Sequence, residues 1–425
     1  MALPDTLAGW LAWVEQQHAR PIDLGLERVA RVRDALAAHS DAVVITVAGT
    51  NGKGSTCAML EAMLRSAGYR VGLYTSPHLL DYNERVRIDG DNASDAALCE
   101  AFAAVETARA SLSPAVPLTY FEYGTLVGWW LFCRAKLDVV ILEVGMGGRL
   151  DAVNVFEPDC AIVTGVAMDH MEFLGDTREA IGFEKAGIYR AGKPAICADP
   201  QPPKSLLDHA ADIGADLWLQ GRDFRFAGDR QQWQYVGRTQ KRNSLAYPAL
   251  RGANQLLNAA GALAALEALG SRLPVPMQAV RQGLMLVEWP GRFQVLPGRP
   301  SIVLDVAHNP QSVAVLAENL ANMGFFPETW AVCGMLADKD VEGSLRHMIS
   351  RVDKWLVCAL PGPRGLSAQA LAERLQAMGA ASVECFASPA EAMSAARKRA
   401  GEGDRIVAFG SFLTVADVMR NALRN

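Results

Sequence analysis

A β-branched run, Val43–Ala48, passes directly into Gly49-Thr50-Asn51-Gly52-Lys53-Gly54-Ser55 and then into a segment of helical period over residues 56–67. Leu60, Met63, Leu64 and Ala67 share one face of that segment, and Gly68 follows as its stop. A buried strand feeding a glycine-rich turn and a helix is the opening of a parallel sheet with crossover helices, and few other architectures accept it. The same alternation continues: residues 70–74, 138–144 and 160–166 read as strands, and 96–110 and 121–135 as helices.

From about 200 to 248 the pattern weakens into mixed polar and aromatic residues, which suggests an irregular antiparallel subregion. An Ala-rich helix is expected from Ala253 to residue 269, and Glu288-Trp289-Pro290-Gly291 breaks the chain as a hinge. Strands at 302–306, 330–335, 355–359 and 405–409 then alternate with helices to the end. With 425 residues, two to three times a common domain, the chain is expected to be a two-domain α/β protein. Its N-terminal domain, 1–287, would be P-loop ATPase-like, with a mainly parallel sheet, flanking helices and the antiparallel subregion. A hinge at 288–295 would join it to a smaller Rossmann-like domain at 296–425.

Composition narrows the function classes. Half the residues are hydrophobic and 20% charged, which leaves ample material for cores and no room for a mainly disordered chain. The balance of 41 basic to 46 acidic residues has no basic run that could track a phosphate backbone, so nucleic acid is an unpromising partner. The most apolar stretch, 123–133, is too short to span a bilayer, and the first 20 residues have no basic leader, so a cytoplasmic location is expected. The eight cysteines are scattered singly and are expected to be reduced and packed, without a zinc or disulfide framework.

Four constellations carry chemistry. In the first, the glycines of 49–55 let backbone N–H groups point at phosphate oxygens, the helix N-terminus adds partial positive charge, Lys53 adds a full one, and the Ser55 hydroxyl can ligate Mg²⁺. The spacing departs from the usual P-loop, because Gly54 stands between the lysine and the serine. In the second, Glu143 ends an apolar strand where ligands bind in open α/β sheets, a place for Mg²⁺, or for a carboxylate that merely caps the next turn. In the third, Asp169-His170 and Lys185 follow the next strand. The histidine suits metal, acid–base work or simple packing, and an apolar setting would lower the lysine's pKa; residue types alone do not choose among these roles. In the fourth, Asp305 ends the first strand of the second domain and suits either a ribose hydroxyl or a capping turn only, with Asn309-Pro310 starting a helix. If that strand end faces the phosphate loop across an interdomain cleft, both domains can grip one nucleotide.

Together these motifs resemble the folylpolyglutamate synthase and dihydrofolate synthase family, ATP-dependent amide ligases related to the Mur ligases. The similarity runs from Ile22-Asp23-Leu24-Gly25-Leu26-Glu27-Arg28 to Gly410-Ser411-Phe412. The Gly-Lys-Gly-Ser form of the loop, Thr75-Ser76-Pro77-His78-Leu79, Asn83-Glu84-Arg85 and Gly147-Gly148-Arg149-Leu150-Asp151-Ala152 are similar to the folate branch.

The resemblance implies a ligase that adds L-glutamate to dihydropteroate and to the γ-carboxyl of reduced folates, as a cytoplasmic monomer with neither membrane nor nucleic acid as partner. It implies ATP and two Mg²⁺ as cofactors and leaves a monovalent cation open. By position, Asn51, Gly52, Lys53, Gly54 and Ser55 would hold phosphates, Asn254 adenine, Asp305 ribose, and Arg292 the phosphates again. Ser55, Ser76, Glu143, His170 and a carbamylated Lys185 would form the metal site, with Lys53, Lys185, His170 and Arg292 as the catalytic set. Asp23, Leu24, Gly25, Phe121, Glu122, Tyr123, Arg149, Leu150, Asp151 and Ala152 would line the substrate side, and His308 and Ser411 would hold glutamate. One departure is Val153, where the family usually has threonine, which removes a hydroxyl from that side. The rivals are a monofunctional folylpolyglutamate synthase, a Mur-type peptide ligase, and a P-loop switch or motor NTPase.

Overall fold

The computed structural model describes residues 3–229, 231–252 and 254–422. The chain forms two compact units, one made of residues 1–249 with 256–287 and the other of 250–255 with 288–425. A short segment well before residue 288 thus folds with the second unit.

In the first unit the strands are β1 (Val43–Ala48), β2 (Val71–Tyr74), β3 (Val86–Ile88), β4 (Asp91–Asn92), β5 (Val139–Glu143), β6 (Cys160–Val163), β7 (Pro194–Cys197) and β8 (Asp216–Leu219). They build one sheet in the order β4-β3-β2-β5-β1-β6-β7-β8, parallel except where β3 and β4 turn back. Every residue of β1 and β5 is buried, as expected for central parallel strands covered on both faces. Since β5 and β6 flank β1 on opposite sides, the crevice beyond the carboxyl end of β1 is a topological switch point, where open α/β sheets bind ligands.

The helices of this unit are α1 (Leu7–Val14), α2 (Glu27–Leu36), α3 (Lys53–Ser66), α4 (Asp95–Ala110), α5 (Tyr120–Arg134), α6 (Met171–Leu174), α7 (Arg178–Ala186), α8 (Lys204–Asp212), α9 (Gln255–Ala268) and α10 (Met277–Leu286). α5 starts on a capping box in which Thr119 Oγ1 accepts the Glu122 N–H and the Glu122 carboxylate accepts the Thr119 N–H at 2.7 Å. α9 begins at Gln255; Ala253, its expected first residue, lies outside the described residues.

The expectation for 200–248 is half corrected. Residues 204–219 supply α8 and β8, which extend the parallel sheet. Only β9 (Arg225–Gly228), β10 (Trp233–Val236) and β11 (Lys241–Leu245) form an antiparallel sheet. The polar Asp216 and the exposed character of this edge strand hide β8 in the sequence.

The second unit orders its strands β12-β13-β17-β14-β15-β16, from β12 (Gln294–Leu296), β13 (Ser301–Leu304), β14 (Thr329–Cys333), β15 (Lys354–Cys358), β16 (Val383–Phe386) and β17 (Arg405–Phe409). Only β12 is antiparallel. The helices α11 (Pro310–Asn322), α12 (Val341–Leu345), α13 (Ala368–Ala377), α14 (Pro389–Arg399) and α15 (Phe412–Asp417) complete the unit around a core that includes Val303, Leu316, Ala331, Trp355, Val407 and Phe409. β12 and β16 escape the sequence reading because one is three residues long and the other is largely exposed. All eight cysteines are free, and among the described residues no helix is long and apolar enough to cross a membrane.

Candidate active site

The phosphate loop is set by its neighbours. Gly52 takes φ +89° and serves as the N-cap of α3, so the helix starts at Lys53, three residues earlier than the apolar pattern indicates, and Lys53, Gly54 and Ser55 form its first turn. Their N–H groups belong to the orphan donors of a helix start. Lys53 Nζ donates to Gly49 O at 3.1 Å and lies 3.4 Å from Thr50 O, folding the side chain over its own loop.

The loop is clamped to the turn after β6. Thr50 N donates to Gly165 O at 2.8 Å, Ala167 N donates to Thr50 Oγ1 at 3.0 Å, and Thr164 Oγ1 donates to Asn51 O at 2.7 Å. β6 ends at Val163 rather than 166 for a related reason: Thr164 N still donates to Ala48 O of β1 at 2.9 Å, but Gly165 and Ala167 beyond it pair with Thr50 of the loop. Asn258 on α9 packs against Gly52, where an added Cβ would lie 2.5 Å from its Oδ1. Thr164 and Asn258 shape this loop and are absent from the residues expected from sequence; no motif or spacing marks either.

Glu143 is buried at the end of β5 and its Oε2 accepts the Ser76 N–H at 3.1 Å, which joins two of the expected metal ligands. Lys185, in the last turn of α7, is only 3% exposed. Burial, then the like charge of Lys53, lower its pKa to about 7, partly offset by Asp169, Asp151 and Glu184. Those opposing influences also locate it: α7 brings Lys185 within electrostatic range of the phosphate loop and of the turn bearing Asp169. His170 has φ +52°, stands at the N-cap of α6 and is about a third exposed (35%), with Nε2 4.0 Å from Asp169 Oδ2. Among the described residues no three His, Cys, Asp or Glu side chains gather as a metal cluster. A buried carboxylate, a serine hydroxyl and phosphate oxygens nonetheless fit Mg²⁺, which keeps waters and takes few protein ligands.

On the substrate side the structure joins several expected residues. Gly25 N donates to Leu150 O at 3.2 Å, and Arg28 bridges Asp23 and Glu122. Asp151 accepts the Met146 and Val153 N–H groups at 2.9 and 3.0 Å, and burial raises its carboxyl to about 7. Arg149 pairs with Glu184 at 2.7 Å, tying the 145–152 turn to α7. Phe121 packs against Gly145, where an added Cβ would lie 2.6 Å from its ring. Leu24 is half-buried in the same loop as Asp23, and Ala152 is buried at the start of a short 3₁₀ turn.

Tyr123 stands apart. It is fully buried, and its hydroxyl donates to Glu106 at 2.7 Å, a carboxylate that Arg109 also forks, so it links α4 to α5. Tyr123→Phe is expected to leave KM for every substrate within about twofold and to cost about 1–2 kcal/mol of stability, read as a thermal midpoint a few degrees lower.

The remaining candidates fall in the second unit. Arg292 lies over the Phe412 ring at 4.9 Å, His308 Nδ1 is 2.8 Å from Val306 O, and Ser411 caps α15. Asn254 belongs here too, beside Gly252 and Asn319. Asp305 accepts N–H groups from Phe293 and Ala307 at 2.9 and 2.8 Å, so both its oxygens already hold backbone in place. Burial raises its pKa to about 6, against the pull of Arg292. A folded pKa above the ordinary value means the folded unit binds more protons between about pH 4 and 6, so this group's contribution to stability falls as pH rises through that window and is constant above it. Asp305→Asn is expected to remove that slope. In thermal melts at a series of pH values, the advantage of the wild type over the variant should shrink from pH 4 to pH 7.

A switch-point phosphate loop, a buried strand-end carboxylate and a second α/β unit define a nucleotide-dependent ligase of the Mur type, and two family models agree. The Mur ligase middle domain matches residues 47–266, and the Mur ligase glutamate ligase domain matches residues 291–412. The dihydrofolate synthase/folylpolyglutamate synthase of Escherichia coli K12 is 45% identical over 414 residues, 97% of this chain and 94% of that one. The solved E. coli FolC complex with DHPP and ADP superposes with a TM-score of 0.94 at 43% identity over 100% of both chains. A bifunctional folylpolyglutamate synthase/dihydrofolate synthase solved with Mn, AMPPNP and L-glutamate gives 0.90 at 45% identity, covering 98% of this chain and 99% of that one. The chain belongs to the dihydrofolate synthase/folylpolyglutamate synthase family of Mur ligases.

Proposed function

We propose that this chain is an ATP-dependent amide ligase that adds L-glutamate to 7,8-dihydropteroate, giving dihydrofolate, and to the γ-carboxyl of reduced folates, working in the cytoplasm. The observation that carries the reading is the correspondence over 97% of the chain with an enzyme bearing both activities in its name.

A carboxylate and an amine do not condense at neutral pH, because oxide is a poor leaving group. Transfer of the ATP γ-phosphoryl to the substrate carboxylate gives an acyl phosphate; the glutamate amine attacks its carbonyl carbon, and phosphate departs with the bonding pair. Lys53 and the first turn of α3 supply fixed positive charge to the phosphoryl group being transferred, with no reorganisation during the step. Glu143, Ser55 and Ser76 would hold Mg²⁺, which when bound neutralises charge on the phosphates. His170 would belong to a second ion site. Lys185, half neutral near pH 7, can add carbon dioxide and lose a proton, so that a buried ammonium beside Lys53 becomes a carbamate anion attracted to it. Within the proposal, Arg292 steadies the phosphates, Asn254 and Asp305 serve the nucleoside, and His308 and Ser411 serve glutamate.

The test is ADP release from Mg-ATP by the purified protein, with dihydropteroate and glutamate added singly and together. Release that requires both, with dihydrofolate in equal amount, supports the reading. Substantial release without glutamate marks a switch or motor NTPase instead.

A further inference from the structure

Arg28, in the first turns of α2, faces three acceptors at once. Its Nη1 lies 2.8 Å from Asp23 Oδ2, while Nη2 donates to Asp23 O at 2.6 Å and to Glu122 Oε1 at 3.1 Å. Both acceptor side chains have a second attachment. Asp23 Oδ2 also meets His18 Nε2 at 3.3 Å, in the turn just before it. Glu122 Oε2 is spent on the Thr119 N–H of the α5 capping box, and its side chain is only 4% exposed. Two residues on from Asp23, Gly25 N reaches Leu150 O. One guanidinium therefore ties the 23–25 loop to the start of α5, and the loop itself is tied to the 145–152 turn.

We infer that Arg28 is the positioning residue of the pteroyl side of the site: it fixes the 23–25 loop against α5, and the Asp23 carboxylate serves this clamp rather than touching substrate. The inference rests on the proposed function and deepens it. Arginine suits the task because a planar fork with several donors meets a carboxylate, a carbonyl and a second carboxylate in fixed directions, which a lysine ammonium cannot. A loop freed from one side drifts by an ångström or more, enough to spoil a binding geometry without unfolding the chain.

The experiment compares wild type with Arg28→Gln, Arg28→Lys, Asp23→Asn and the Arg28→Gln/Asp23→Asn double variant. Separate KM values are measured for dihydropteroate, ATP and glutamate, with thermal midpoints as a check on folding. Expected are a rise of about tenfold or more in KM for dihydropteroate in Arg28→Gln, values for ATP and glutamate within about twofold of wild type, and partial recovery in Arg28→Lys. Because Asp23 acts through the same clamp, the double variant should be no worse than Arg28→Gln alone. Multiplying effects would show that Asp23 contacts substrate directly and would overturn the inference. So would an unchanged KM for dihydropteroate, or equal rises for all three substrates. If Arg28→Gln does not fold, Arg28→Lys takes its place in the cycle with Asp23→Asn: a double variant no worse than the more impaired single supports the clamp, and multiplying effects overturn it. A wild type that releases no ADP with dihydropteroate and glutamate would overturn the functional reading and this inference together, whereas wild-type turnover with an unselective variant overturns this inference alone.

Discussion

Lys185→Ala is expected to lower kcat by about 10³-fold, and added short carboxylates such as acetate or formate are expected to restore part of it. An ordinary lysine is neutral in about one molecule in 2,500 at pH 7, whereas one with a pKa near 7 is neutral in about half, and only the neutral amine adds carbon dioxide. The causes of the shift explain why an anion suits the place. A protonated Lys185 is buried and repelled by Lys53; the carbamate keeps the burial but reverses the repulsion. Alanine leaves a hole of the side chain's length, open to a small carboxylate that can stand in for the missing group. Steady-state ADP release in carbon-dioxide-depleted buffer gives a second reading on the unmutated protein, where activity should fall and return with bicarbonate. Full activity in Lys185→Ala would sink the carbamate role, and loss without any carboxylate rescue would leave Lys185 as a packing residue only.

Much of this arrangement is legible in the sequence, for definable reasons. β1, β5 and β17 are buried on both faces, so they appear as unbroken apolar runs and their bounds fall within a residue of the expected ones. Edge strands carry no such signature: β8 opens on Asp216 and β16 exposes its two middle residues, Glu384 and Cys385, so both dissolve into apparent loop. Among site residues, those that carry a motif were visible, such as Lys53 in its glycine-rich turn and Glu143 at a strand end. Thr164, Asn258 and Arg28 were not, because their work is defined by what lies across space from them, 113, 206 and 94 positions away along the chain at Asn51, Gly52 and Glu122. Tyr123 illustrates the converse. It sits inside a recognisable tetrapeptide, yet helical periodicity turns it into the α4–α5 contact while its neighbours Phe121 and Glu122 face the 145–152 turn and Arg28.

Gly49→Ala is expected to abolish measurable ATP binding and to reduce turnover by at least about 10²-fold, through geometry alone. Gly49 adopts φ +150°, and a Cβ there would lie 1.9 Å from Thr164 Oγ1 and 3.2 Å from the Thr164 backbone nitrogen. A hydroxyl can rotate away, but this one donates to Asn51 O at 2.7 Å, so relieving the clash releases the contact that shapes the phosphate loop. Backbone strain of about 1–3 kcal/mol adds to an overpacking cost of similar size, and both fall on the segment between β1 and α3. Thr164→Ala provides the control that separates the two causes. Alone it loses the Asn51 contact but not the space, and is expected to weaken ATP binding by about tenfold. Combined with Gly49→Ala it removes the closest clash while the unfavourable φ and the backbone approach persist, so nucleotide affinity in the double variant should exceed that of Gly49→Ala and stay below that of Thr164→Ala. Calorimetric titration with ADP in the presence of Mg²⁺ reads all three. A Gly49→Ala protein that binds ADP as the wild type does would show that the Thr164 clamp does not set the loop, and the phosphate-binding geometry would then have to come from α3 and Lys53 alone.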